Sequence, residues 1–314
     1  GLRLTDEQRR KLVDAAEAGT PVITTAATNP QNMIMSVDSV DCEFLKQYLV
    51  GGRNNYRNML RYVRKFIDGK KLYVDEPQDP AAATSSLLYY PFGDENLDFS
   101  SVGEYDRWLK SHGKWIESAP RIILTGQMGV SDSLVAQLER TGNIVYPVNV
   151  IQSFIAKGHA DSIDASAVIN MAHGRMGDEV VRWLTAQNIP LFAPVNANRD
   201  YNEWMADKMG MNGGFMSQSI VTPEIDGAIR PYTLFAHFEG RDGLPYVEAI
   251  PGRLDDFVAT VNNYTALSRK DNKDKKLAIF YFKGPGQSAL VAEGMEVAPS
   301  LFNLLTLSLI HISA

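Results

Sequence analysis

Residues 121 to 195 alternate apolar runs with amphipathic stretches, and this alternation restricts the possible folds more than any other feature of the sequence. The apolar runs are short and rich in Ile and Val: RIILTGQ, NIVYPV, SAVINMAH and IPLFAPV. The stretches between them have helical periodicity and end at Gly or Asn: SDSLVAQLERTG and GDEVVRWLTAQN. Because strands that alternate with helices form parallel sheets covered on both faces, we predict an α/β fold of parallel-sheet βαβ lobes, Rossmann-like or periplasmic-binding-like.

The loops after the predicted strands are the expected place for a ligand, since ligands of such sheets bind beyond the carboxyl ends of the strands. These loops are TGQMG, MAHGRMG and PVNANRD. Glycine lets a backbone approach a ligand closely, and free N–H groups at a helix start suit a carboxylate; ordinary turn formation is the alternative. The residues that we predict to form the cleft loops are Gly174, Arg175, Gly177, Asn196 and Asn198.

Two histidines and two glutamates are candidate contacts for a ligand or a metal. His173 lies between a predicted strand and a predicted helix, where an imidazole could ligate a metal or donate a proton; a hydrogen bond to nearby backbone is the alternative. His237 and Glu239 are two residues apart, so on a strand they share a face and could coordinate one metal; an exposed pair with satisfied hydrogen bonds is the alternative. Glu224, in VTPEIDGAIRP, could be a general acid or a metal ligand, but acidic residues of such turns commonly bond their own turn.

Composition and motif spacing argue against several classes of protein. The net charge of -6 disfavours nucleic acid as a partner, which requires a basic face. The single cysteine, Cys42, excludes intrachain disulfides and cysteine-based metal clusters. KGPGQSALVAEG lacks the GxxxxGK[ST] pattern of a phosphate-binding loop, and TGQMG lacks the GxGxxG of a nucleotide-dependent dehydrogenase. These patterns assign no catalytic residue and no metal site.

The apolar runs and the two ends of the sequence bear on the cellular compartment of the protein. No apolar run approaches the roughly 18 residues that a helix needs to cross a bilayer. The chain begins with Gly1 rather than Met, so a signal peptide could have been lost. We therefore expect a cytoplasmic protein, with a periplasmic or membrane-associated location as the alternatives. The tail LTLSLIHISA breaks the preceding pattern, and we interpret it as non-native from about Leu307 onward.

The sequence divides into four predicted parts, in chain order: a partial N-terminal α/β lobe at 1–84, a second α/β lobe at 85–270, the truncated start of a further α/β domain at 271–306, and a non-native tail at 307–314. In the first part, TPVITTAA is a predicted buried strand, and LAIFYF is the strand that opens the third part. Since a finished domain seldom ends by opening another, we expect the chain to be a piece of a longer protein.

Segment 216–250 is the predicted hairpin-rich part of the second lobe. It contains β-rich runs interrupted by Asp226-Gly227 and Asp242-Gly243, which are both favourable turn pairs. We therefore predict antiparallel hairpins that pack over the parallel sheet.

Four segments together carry a resemblance to a known family: YLVGGRNNYRNMLRYV, APVNANRDYNEWMADKMGMN, VTPEIDGAIRP, and KKLAIFYFKGPG followed by EVAPSLFNLL. They resemble parts of the large subunit of class I metal chelatases, the CobN and magnesium chelatase H family. The first is similar to the family's double-glycine stretch before an Asn- and Leu-rich helix, and the third to its Pro-Glu-x-Asp-Gly-x-Ile turn. The resemblance runs from about residue 40 to about residue 305 and covers an amino-terminal portion of a longer family member.

The resemblance implies a protein that binds a tetrapyrrole (a corrin, a porphyrin or haem) and inserts or removes a divalent metal, Co, Mg or Fe. It implies that the full-length protein is a metal chelatase, that this piece alone is inactive, and that the catalytic residues lie beyond it. His173, Glu224, His237 and Glu239 then become candidate tetrapyrrole or metal contacts. ATP would act only through an ATPase partner complex, as in the cobalt and magnesium types; for homologues from haem systems the need for that partner stays open.

One departure from the family pattern bears on the choice of metal. Typical members follow the Pro-Gly loop with an Asn-Ile-Gly-like stretch, whereas this chain has QSALVAEGMEV. That variant resembles the CobN-like homologues of Bacteroidetes haem-uptake systems, which puts cobalt insertion in doubt and is compatible with haem and metal removal. The family's downstream His-Gly and Glu motif is absent, and its role is not transferred to His173-Gly174. A non-enzymatic periplasmic-binding-type protein that closes on a small solute is the alternative to a chelatase.

Overall fold

The computed structural model describes residues 4–24, 29–49, 52–77, 86–92, 97–126, 131–241, 243, 245–280, 291–292 and 295–312. An eight-stranded sheet dominates this part of the chain. Its strands are β1 (Leu88–Tyr90), β2 (Leu97–Phe99), β3 (Arg121–Thr125), β4 (Ile144–Val148), β5 (Ala167–Asn170), β6 (Leu191–Asp200), β7 (Ala228–Glu239) and β8 (Pro245–Ala249). Their order across the sheet is β2-β1-β4-β3-β5-β6-β7-β8.

The predicted α/β class with a parallel sheet is confirmed. The neighbours β4-β3, β3-β5, β5-β6 and β6-β7 all pair in parallel, and antiparallel pairing is confined to the two sides of the sheet. Every residue of β4 and β5 is buried, as expected for central strands with helices on both faces. Their continuous apolar runs are the sequence signature of that position.

Helices connect and cover the strands. Their bounds are α1 (Asp6–Glu17), α2 (Ser39–Gln47), α3 (Gly52–Tyr62), α4 (Val102–Ser111), α5 (Ser131–Arg140), α6 (Ile151–Ala156), α7 (Asp178–Gln187), α8 (Tyr201–Ala206), α9 (Gly213–Met216), α10 (Thr222–Ile225), α11 (Arg253–Arg269) and α12 (Val297–Ile312). Short 3₁₀ or π turns lie at Pro30–Asn32, Val63–Ile67, Ala160–Ser162, Ser217–Val221 and Asn272–Asp274. A two-residue ladder joins β9 (Val291–Ala292) to β10 (Met295–Glu296). No helix among the described residues is both long and apolar enough to cross a bilayer.

Helix α11 closes the core over the sheet. Phe192 of β6 is fully buried, and its ring meets the ring of Tyr264 edge-on at a centroid distance of 5.5 Å. At the α5 side of α11, the Asn143 Nδ2 donates to Asn262 Oδ1 at 2.9 Å. These contacts lie on the face of the sheet and leave the carboxyl edge of the strands open to loops.

The strand order reverses direction between β3 and β5, because the chain runs from β3 outward to β4 and then crosses back to β5. The topological switch point therefore lies between β3 and β5, and doubly wound sheets bind ligands beyond the carboxyl ends of their strands. Gly126 follows β3 with a φ of +75°, and a Cβ at this position would lie 2.3 Å from the backbone nitrogen of Ala172. The close approach of the two loops requires glycine there.

Residues 216–225 are helical, so the prediction of antiparallel hairpins throughout 216–250 is wrong for its first third. Asp226-Gly227 ends α10 and leads into β7, which is parallel to β6. Parallel neighbours need a long crossover, and residues 201–227 supply it. The antiparallel part is the β7–β8 pair, and Gly243 lies between these strands.

Two other predicted strands do not form in the described residues. TPVITTAA retains a single β-bridge between Ile23 and Met35, and residues 25–28 lie outside the described part. Residues 277–280 of LAIFYF are not in a strand, and Phe280 is 94% exposed. The rest of that run, the Pro-Gly loop and part of QSALVAEGMEV also lie outside the described residues. The division into four parts stays a prediction.

We expect Gly126→Ala to destabilise the fold more than Gly142→Ala. Both glycines have positive φ, +75° and +88°, so both substitutions carry the left-handed strain of about 1–2 kcal/mol. Only at Gly126 would the new methyl group meet backbone, whereas at Gly142 nothing lies within 4 Å. Overpacking adds about 1–3 kcal/mol, which urea denaturation of both variants would measure. Equal losses of unfolding free energy would show that the two loops do not approach this closely.

Candidate functional site

A cleft of about 370 Å³ opens at the carboxyl edge of β5, β6 and β7. The loop after β5 contributes Met171, Ala172 and His173, and β6 contributes residues 193–196 and Asn198. Phe215, Gln218 and Ser219 of the crossover and His237 and Val247 of the β7–β8 pair complete the lining that the structure describes. None of these side chains is Asp, Glu, Lys or Arg, so the described wall is polar without a fixed charge.

The two histidines of the cleft differ from His112 and His159, whose rings pack against aromatic side chains. His173 is exposed and His237 is half-buried, and neither ring forms a hydrogen bond or an ion pair with another described residue. In contrast, the His112 ring stacks on Trp108 at 4.4 Å, and its Nδ1 lies 2.8 Å from the Trp108 carbonyl oxygen. The His159 ring packs against Phe154 at 5.6 Å. The cleft histidines therefore keep their ring nitrogens available to a ligand.

A bulge in β6 presents the two asparagines. Between the ladder pairs Asn196–Phe235 and Asp200–His237, residues 197–199 of β6 lie opposite Ala236 alone. Asn198 has a φ of +52°, and its N–H donates to Asn196 Oδ1 at 2.9 Å. Bulges beside functional sites re-aim side chains, and Asn tolerates the left-handed region better than other non-glycine residues. The Asx-type turn thus turns the end of β6 toward the cleft.

A buried carboxylate holds the loop that carries His173. Asp226 is 2% exposed; its Oδ1 accepts from the Arg175 guanidinium Nε, and its Oδ2 accepts from the Met176 N–H at 2.6 Å. The hydrogen bond to Asp226 is the main cause that raises the pKa of Arg175, which keeps the guanidinium charged. Arg175 also pairs with Asp178 at 2.8 Å. The loop after β5 is therefore tied to the turn before β7.

The structure brings together four of the residues predicted as contacts or cleft-loop members: His173, Asn196, Asn198 and His237 line one cleft. The remaining five lie outside its lining. Glu224 is exposed and borders a shallow groove beside Pro223, and Glu239 is exposed at the end of β7 opposite Pro245. Gly174 and Gly177 are in the His173 loop. Arg175 is directed to Asp226 instead of the cleft.

Two N–H groups of this loop bond to protein acceptors. The Gly174 N–H donates to the Gln218 carbonyl oxygen at 3.0 Å, and the Met176 N–H is taken by Asp226. These two donors precede α7, which begins at Asp178, so the free N–H groups at the helix start stay a prediction. Among the described residues, no three side chains of His, Cys, Asp and Glu type are grouped as metal ligands.

Sequence reasoning missed Asp226 and the crossover residues that line the cleft. It treated the acids of VTPEIDGAIRP as groups that bond their own turn, whereas the partners of Asp226 precede it by about 50 residues. The resemblance of that turn to a family motif was the one available signal, and it gave neither the burial of Asp226 nor its partners.

The sequence profile of the CobN/magnesium chelatase family matches residues 46–307. The chain belongs to this family. Among curated proteins it is 22% identical over 306 residues to an uncharacterized protein of Methanocaldococcus jannaschii, with 85% of this chain and 24% of that protein covered. It is also 22% identical over 298 residues to the magnesium-chelatase subunit ChlH of Oryza sativa chloroplasts, with 83% of this chain and 21% of that subunit covered.

Among solved structures, the catalytic subunit of cobaltochelatase from Mycobacterium tuberculosis has the same fold over 87% of this chain and 26% of its own length. The TM-score is 0.58 and the sequence identity 16%. The chain thus spans about a quarter of the length of the proteins that it matches. The predicted family is confirmed, and these matches do not favour the small-solute binding protein.

We expect His173→Gln and His237→Gln to change the unfolding free energy by no more than about 0.5 kcal/mol, because neither ring bonds another described residue. His112→Gln is the contrasting variant. It loses the stacking on Trp108 and the Nδ1 contact, so a loss of about 1 kcal/mol is expected. Thermal or urea unfolding of the three variants gives these values. A large loss at either cleft histidine would mean that the residue is structural.

Proposed function

We propose that this chain forms one wall of the tetrapyrrole cleft in the large subunit of a CobN-like metal chelatase. The observation that carries the proposal is the pair of imidazoles, His173 and His237, in one cleft at the carboxyl edge of the parallel sheet. Both lack polar partners among the described residues, and the cleft lies beyond the carboxyl ends of parallel strands, the edge at which such sheets bind ligands. Family membership supports a tetrapyrrole as that ligand.

The proposed chemistry is metal exchange on the macrocycle. Insertion of a divalent metal displaces the pyrrole N–H protons, and removal of the metal returns protons to the pyrrole nitrogens. Imidazole titrates near neutral pH and binds metals, so it can accept or supply those protons or hold the metal from one side of the ring. In this proposal His173 and His237 hold or move a proton at a ring nitrogen, while Asn196 and Asn198 hydrogen-bond polar groups on the ligand's edge.

The size of the cleft supports a ligand site to which this chain contributes one wall and other regions of the protein the rest. A cleft of about 370 Å³ is near the lower end of the roughly 300–1,000 Å³ that small-molecule pockets occupy. The cleft suits one edge of a tetrapyrrole. The other walls would come from regions that correspond to the parts of the relatives outside the span of this chain. Where ATP is needed, the resemblance implies that a partner complex hydrolyses it, which is compatible with the lack of a GxxxxGK[ST] pattern in this sequence; for a haem-type member the need for that partner stays open.

For the metal, we propose iron in haem over cobalt or magnesium, with removal as the direction. The support is QSALVAEGMEV after the Pro-Gly loop, which resembles the variant of haem-uptake homologues. The described lining is compatible with an iron porphyrin because imidazole is a common iron ligand.

The test is a titration of the complete gene product with haem and with metal-free porphyrin, followed by Soret absorbance. We expect a saturable shift with haem, and a roughly 10- to 100-fold weaker affinity in His173→Ala or His237→Ala if one strong contact is lost. Slow conversion of the haem spectrum to the metal-free spectrum would report iron removal.

His112→Gln is the control, since it alters a histidine that stacks on Trp108 outside the cleft. It should bind haem as the unaltered protein does. Binding of neither ligand, or equal binding by all variants, would contradict the placement of the tetrapyrrole in this cleft.

A further inference from the structure

The loop that carries His173 has little rigidity of its own. We define the His173 loop as residues 171–177, which connect β5 to α7. Gly174 and Gly177 have φ values of +88° and +103° and nothing within 4 Å of a Cβ position. Glycines leave the backbone many alternative conformations, so the observed one needs contacts from outside the loop.

Contacts from outside the loop fix the loop residues that follow His173. The Gly174 N–H donates to Gln218 at 3.0 Å, the Met176 N–H donates to Asp226 at 2.6 Å, and the Met176 carbonyl oxygen accepts from Gln152 Nε2 at 3.1 Å. Of these partners, Asp226 is the only side chain that carries a charge, and it makes a second bond to Arg175.

The burial of Asp226 makes its pairing obligatory. A carboxylate that is 2% exposed has lost its hydration, and such a charge is tolerated only when it is paired and hydrogen-bonded. Both oxygens of Asp226 bond to the His173 loop, one to the backbone of Met176 and one to the Arg175 side chain. The carboxylate therefore requires this loop conformation, and departure of the loop would leave a buried charge without a partner.

We infer that Asp226 is a positioning residue, which acts through Arg175 and Met176 to hold His173 at the cleft. The inference rests on the proposed function, in which His173 contacts the tetrapyrrole. Of the two acidic residues in VTPEIDGAIRP, the inference gives the functional role to the buried Asp226 and not to the exposed Glu224. Gly227, with a φ of +91°, lets the chain turn directly after Asp226 into β7.

Asp226→Asn is the variant that tests the inference. An amide keeps the shape of the side chain but can present only one oxygen, whereas Asp226 faces two donors. Arg175→Gln is the second variant: Arg175 is on the surface, and the glutamine amide keeps an N–H donor for Asp226 while the guanidinium charge is lost.

Asp207→Asn is the matched control. The Asp207 carboxylate also binds an arginine, Arg199 at 2.6 Å, and a backbone N–H, that of Met209 at 2.8 Å. It lies outside the lining of the cleft and makes no bond to the His173 loop.

The first measurement needs no ligand. In Asp226→Asn and Arg175→Gln we expect the His173 ring resonances in the NMR spectrum to shift, with those of His237 unchanged. In Asp226→Asn, amide hydrogen exchange of Met176 should also accelerate roughly 10- to 100-fold, because one charge-assisted hydrogen bond is lost. Unchanged exchange in Asp226→Asn, or unchanged His173 resonances in the variants that fold, would overturn the inference. Asp207→Asn should leave both signals as they are.

The second measurement is a double-mutant cycle for haem affinity. If Asp226 acts through His173, Asp226→Asn weakens binding in the unaltered protein and has no further effect in His173→Ala. An additive loss would mean that Asp226 supports the whole cleft, which overturns the positioning role. If His173→Ala binds haem normally while the ligand-free signals still respond to Asp226→Asn, the proposed contact at His173 fails and the positioning of the loop stands.

Discussion

The parallel sheet must have both of its faces covered, and this requirement decides where polar groups of the chain can lie. In β4 and β5 every residue is buried, so these strands hold no position for a solvated ligand contact. Helices occupy the faces, and α11 seals one of them through Phe192 and Tyr264. What remains is the carboxyl edge, where β5, β6 and β7 end in polar loops. The position of the cleft thus follows from the architecture of the sheet.

Two distant segments meet at that edge through one buried carboxylate. Asp226 belongs to the crossover before β7, and its partners belong to the loop after β5, on a strand two places away in the sheet. This arrangement joins neighbouring loops into one unit without a disulfide or a metal. The same edge shows a second constraint at Gly126, where the loop after β3 passes too close to Ala172 for any side chain.

Local pattern was sufficient to predict the sheet, because Val- and Ile-rich runs between helical stretches leave few alternatives for residues 121–195. It was not sufficient for 217–225, where β-rich composition and the Asp226-Gly227 turn pair suggested a hairpin but the parallel pairing of β6 and β7 requires a long crossover, which is helical here. The position of His173 and Asn196 after strands predicted their place at one edge. The role of Asp226 could not be predicted, because burial and partners about 50 residues away are tertiary properties.

The lack of fixed charge in the described lining of the cleft has a consequence for recognition. Salt weakens interactions between charged groups and has little effect on hydrogen bonds and apolar contacts. A ligand held by the imidazoles, amides and apolar side chains of this wall would therefore bind with an affinity that changes little with ionic strength. Long-range electrostatic attraction would contribute little from this wall, so shape and hydrogen-bond geometry would govern selection of the ligand there.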